Sequence, residues 1–78
     1  MPYDAGVYKI LEEFHSNGIC KHVIWNDGEE VFRDENGKFH RENGPAIIFP
    51  DGEKKYYIHG NFANVKSDEE LIIKLLLE

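Results

Sequence analysis

The chain has 78 residues, and nine Lys and Arg against 15 Asp and Glu leave it a net charge of −6. That length admits one small domain; 41% hydrophobic and 13% aromatic residues exclude a disordered tail. The acidity sets the chain against duplex nucleic acid and anionic membranes. A single cysteine, Cys20, excludes an internal disulfide, so stability must come from packing or oligomerisation.

The first residues, Met1-Pro2-Tyr3-Asp4, lack the basic start and apolar core of a secretory signal, and an unpaired cysteine suits a reducing compartment. The expected location is a cytoplasm. No apolar run approaches the roughly 20 residues of a membrane span. Residues 5–16 can be read two ways. Val7, Ile10, Leu11 and Phe14 have helical spacing with Asp4 as a cap, whereas Gly6 inside the segment and the Val7-Tyr8 pair suit a strand. Strand is favoured, because Phe14 to Gly18 repeats the strand-then-turn arrangement found further on.

Six of the seven glycines follow Asn, Asp or His, at Gly18, Gly28, Gly37, Gly44, Gly52 and Gly60. Such dipeptides favour the positive φ of tight turns. Between them lie short β-branched and aromatic segments: Ile19 to Trp25, Glu29 to Arg33, Ala46 to Phe49 and Glu53 to Ile58. This spacing predicts an antiparallel meander of hairpins. It also repeats: Ile24-Trp25-Asn26-Asp27-Gly28-Glu29 aligns with Ile48-Phe49-Pro50-Asp51-Gly52-Glu53, and Asn36 to Phe39 with His59 to Phe62. Periods of this length mark stacked hairpin repeats.

The chain closes on Ser67-Asp68-Glu69-Glu70, a capping box, followed by the stripe Leu71, Ile72, Leu75 and Leu76, widened by Ile73 and Leu77. A helix over 68–77 is predicted. At about three turns it must pack on the sheet or on another chain. The expected class is therefore α+β, mainly β: a meander of five to seven short strands over residues 6–62 and a capping helix within 67–78, in one domain spanning 1–78.

Chemistry is thinly signalled. In His40-Arg41-Glu42-Asn43-Gly44-Pro45-Ala46, His40 could act as a base and Arg41 as an anion clamp. The structural reading, favoured here, has Arg41 paired with a carboxylate, His40 capping a hairpin and Gly44-Pro45 turning into the next strand. His15, His22, His40 and His59 lack the spacing of a zinc ligand set, and Cys20-x-His22 has no second half. Cys20 lies in an alternating strand segment and reads as a half-buried thiol. A hydrolase using His40 with Glu42 or Asp51 is the weakest reading. No metal, cofactor or catalytic residue is assigned, and a non-enzyme is expected.

Asn36-Gly37-Lys38-Phe39-His40-Arg41-Glu42-Asn43-Gly44-Pro45-Ala46, then Asp51-Gly52 and Tyr56-Tyr57-Ile58-His59-Gly60, resembles a tandem repeat of tailed-phage and giant-virus proteins. The likeness covers about residues 24–62, and the closing helix also looks like the end of those chains. Residues 6–33 are more loosely similar to MORN-type hairpin repeats. A second His-Arg pair is missing where Ala63-Asn64 stands. The resemblance implies a small viral protein of bacteriophage type acting on its bacterial host.

Together these readings predict a small acidic protein in the bacterial cytoplasm that binds and inhibits a host or defence protein, of anti-CRISPR or anti-restriction type. Its partner would offer a basic surface. The expected contact residues are the acids Glu29, Glu30, Asp34 and Glu35 and the strand aromatics Tyr56 and Tyr57, one of which should face away from the core. The alternative is a self-assembling repeat module that dimerises through the C-terminal helix.

Overall fold

A computed structural model of the chain describes residues 6–77. Six strands, β1 (Lys9–Phe14), β2 (Cys20–Trp25), β3 (Glu30–Phe32), β4 (Ile47–Ile48), β5 (Lys54–Ile58) and β6 (Asn61–Ala63), precede the helix α1 (Asp68–Leu76). They form one antiparallel sheet in the order β1-β2-β3-β4-β5-β6. This is the expected α+β meander. Residues 9–14 are strand, and the alternative cap Asp4 lies outside the described residues.

Four connections share one turn. Trp25 N–H donates to the Glu29 carbonyl and Gly28 N–H to the Trp25 carbonyl, and the same two bonds recur in His15–Ile19, Asp34–Lys38 and Phe49–Glu53. The fourth residue of each loop is a glycine at positive φ, +98° at Gly28, a conformation costly for other residues. Asn17, Asp27 and Asp51 each accept the N–H of the residue two places on, which locks the turn. The Asx-Gly signal in the sequence is thus a specific hydrogen-bond pattern.

Asn43-Gly44 departs from expectation. It makes no hairpin turn, and Gly44 is not at positive φ. Residues 39–41 lie alongside β3 and β5: His40 N–H donates to the Phe32 carbonyl, and Arg41 N–H to that of Tyr57. Phe39 forms an isolated bridge with Arg33. The column between β3 and β5 is therefore one interrupted strand, 39–41 followed by Ala46 and β4, and 42–45 bulge between its halves. The Arg41 guanidinium fills the bulge, 4.0 Å from the Phe32 ring centre, with Nε bonded to Asn43 Oδ1 and Nη1 to the Pro45 carbonyl. The expected pairing of Arg41 with a carboxylate is not what forms. Arg41 is occupied with holding the bulge shut.

Alternation along the strands sends side chains to two faces. Val23, Val31 and Ile47 stand opposite one another in register and, with Ala46, make the first core, flanked by Trp25, Phe39, Phe49 and Tyr57. Tyr56, Ala63 and Leu71 make the second, where α1 covers β5 and β6. Ser67 caps α1 by accepting the Glu70 N–H, and the Glu70 carboxylate reaches back to the Lys66 N–H, one residue before the cap. The molecule is a slab of 54 × 31 × 15 Å. Among the described residues no helix is long and apolar enough to cross a membrane.

Candidate functional site

The meander brings turns 34–38 and 59–60 to the same end of the sheet. The second turn is a two-residue loop with positive φ at both His59 (+49°) and Gly60 (+85°), Ile58 facing Asn61. Histidine rarely adopts this conformation. Here it is held by contacts: His59 Nδ1 lies 2.9 Å from Asp34 Oδ2, its backbone N–H donates to His40 Nδ1 at 2.9 Å, and the two imidazoles stack at 3.9 Å.

Asp34 is the anchor of this corner. Its Oδ1 accepts the N–H groups of Asn36 and Lys38, closing its own turn, while Oδ2 faces His59. The His59 bond, followed by the two backbone donors, holds the Asp34 carboxyl at about 2, against the opposing effect of its enclosure. His40 is pushed below the ordinary histidine value, first by burial and then by the nearby His59. Glu42, 3.7 Å from His40 Nε2, pulls weakly the other way.

His40, Glu42 and His59 present ligand atoms within 4.8 Å of one another, a juxtaposition their sequence spacing conceals. Hydrogen bonding decides what the trio can do. A neutral imidazole has one lone pair, and in His40 it points from Nδ1 at the His59 N–H. Nε2 therefore carries the proton and acts as a donor toward Glu42. Only His59 Nε2 and an exposed carboxylate remain as metal donors, fewer than the three protein ligands of even an open zinc site. As a catalytic group the Asp34–His59 pair resembles an oriented base. The neighbouring pocket, about 370 Å³ and lined by Arg33, Gly37, Lys38, Phe39, His59, Gly60 and Asn61, contains no hydroxyl or thiol side chain for it to activate.

The residues expected to contact a partner do not share one surface. Glu29 closes the Trp25–Glu29 turn at the opposite end of the sheet from Asp34 and Glu35. Glu30 is bound to His22 Nε2 at 2.6 Å, while Glu13 holds Nδ1 of the same ring at 3.1 Å. Glu35 is exposed, but Asp34 is buried at 6% accessibility and its carboxylate is spent within the fold. Tyr56 is buried too, its hydroxyl donating to Asp68 Oδ1; burial, then that bond, pushes the phenol up. Tyr57 is half-buried between Phe39 and Phe62. Both faces of β5 are covered, so neither tyrosine is the outward ring the sequence suggested, and Asp34 and Tyr56 are removed from the contact set.

Apart from Phe62, 56% exposed beside Tyr57, the exposed apolar residues lie elsewhere. Val7, Tyr8, Ile10, Leu11, Phe14 and Ile19 surround β1, and Ile72, Ile73, Leu76 and Leu77 line the outside of α1. Alternation in a strand or stripe says which residues share a face, but only the sheet order reveals that β1 is an edge. Comparisons with models of protein families, with curated proteins and with solved structures find no match.

Proposed function

We propose that this chain is a non-enzymatic binding module that docks through its β1 margin on a basic surface of another protein. One observation carries the reading. Val7, Ile10 and Phe14 are 61%, 64% and 55% exposed on and beside an edge strand, in a chain whose buried hydrophobics number seven among the described residues. Large apolar groups left in water beside an unpaired strand edge are the usual mark of a docking surface. The net charge of −6 favours encounter with a basic partner, although Glu12 and Glu13 on β1 are bonded to Lys9 and His22. The phage-type repeat resemblance makes a bacterial host or defence protein the partner class, with inhibition by occupancy as the mode of action.

The test is affinity capture from bacterial lysate at about 50 and about 500 mM salt, a range over which exposed charges become screened. A partner held by the wild type at low salt and lost from the double variant Ile10→Lys, Phe14→Ser supports docking at β1. A partner retained by that variant overturns it. A second reading, self-assembly through α1, rests on Leu76 and Leu77 at 78% and 81% exposure. Light scattering at high micromolar concentration decides that reading: a monomer removes it.

A further inference from the structure

The pocket beside His59 is unusual for so acidic a chain. Arg33, Lys38 and Asn61 line it beside His59, the three of them able to donate hydrogen bonds, and no carboxylate lines it. Arg33 and Lys38 pair with no carboxylate among the described residues, although the chain carries 15 Asp and Glu. Each is nevertheless placed. Arg33 Nη1 donates to the Gly37 carbonyl at 3.0 Å and its guanidinium lies 4.5 Å from the Phe39 ring centre, leaving further N–H groups on the fork. Lys38 lays its stem across the 59–60 turn, so closely that a Cβ at Gly60 would stand 3.1 Å from its Cδ. Asp34 is bonded to His59 and to two turn amides, and neither the exposed Glu35 of the same turn nor Glu42 is in the lining.

We infer that this corner is a binding site for a phosphoryl or sulfuryl oxyanion, held by Arg33, Lys38 and Asn61. A guanidinium fork and an ammonium from one hairpin, facing a side-chain amide from the next, suit a compact group with several acceptor oxygens better than a flat carboxylate. The pocket, about 370 Å³ and open to solvent, admits either the free ion or the same group carried on a small molecule.

Nuclear magnetic resonance titration of the full chain tests the site, with inorganic phosphate, phenyl phosphate and sodium chloride as probes at matched ionic strength. Saturable shifts of the Lys38, Gly60 and Asn61 amides at low-millimolar phosphate or phenyl phosphate are expected, with chloride ineffective. Tighter binding of phenyl phosphate identifies a phosphomonoester as the ligand form; equal binding identifies the free ion. Lys38 and Asn61 are exposed, so Lys38→Gln and Asn61→Asp preserve the fold, and each should weaken binding by about fivefold or more. Absence of saturation by about 50 mM, an equal response to chloride, or binding unchanged in both variants overturns the inference.

Discussion

The Arg41 guanidinium occupies the space into which any side chain at position 44 would project: a Cβ there would lie 2.9 Å from Cζ. Glycine is required at 44 for room, whereas at 28 it is required for backbone conformation. Gly44→Ala should therefore cost about 1–3 kcal/mol by displacing Arg41 from Phe32, measured as a loss of unfolding free energy in urea. The cluster around His59 sets the pH dependence. His40 has a folded value below that of an unfolded histidine, so stability falls as pH drops below 6.5 and the unfolded chain takes up the proton first. Asp34, at about 2 when folded against 3.8 otherwise, stabilises the fold above 3.8 and loses that contribution as pH falls toward 2. Comparing wild type with His40→Gln and Asp34→Asn isolates these two windows from the general loss of negative charge. A wild-type stability that tracks both variants from pH 7 to pH 3 would contradict the assignment.

At the scale of elements, local chemistry made much of the fold legible. The Asx-Gly turns declare themselves because the side chain that accepts the turn amide and the glycine that takes positive φ are both local choices. The helix is legible for the same reason, since Ser67 accepts the Glu70 amide and the Glu70 carboxylate the Lys66 amide just before the cap, both before any tertiary contact forms. Two things were not legible. The bulge at 42–45 depends on Arg41 finding Phe32, nine residues away, and the His40–His59 stack depends on two turns meeting at one end of the sheet. Neither leaves a periodic trace. The one hint at His59 was a histidine where the other hairpin turns have Asn or Asp before glycine. The helix itself is anchored by little: Leu71 is wholly buried and Leu75 half-buried. Leu71→Ala should cost about 2–5 kcal/mol, enough to unfold much of so small a domain, whereas Ser67→Ala should cost about 1 kcal/mol. Thermal melts of the two variants check the ranking; equal effects would mean that α1 does not stabilise the sheet.

The whole molecule is a sheet with a small core on each face and apolar side chains exposed at both margins. Its acids are scattered rather than gathered: Glu30 is tied to His22 and Asp34 to His59. Sequence reasoning identified the acidity and the aromatics but placed them on one surface, because burial and hydrogen-bond engagement depend on strand order and register. The contact surface shifts accordingly, from Glu29, Glu30, Asp34, Glu35, Tyr56 and Tyr57 toward the β1 edge. Hydrogen exchange of the chain alone and in complex with its captured partner tests this most directly. Docking at β1 predicts slowed exchange of the amides from Val7 to Phe14 and at Ile19, with α1 unchanged. Protection confined to α1 or to the 59–60 turn, with β1 exchanging as in the isolated chain, would contradict it.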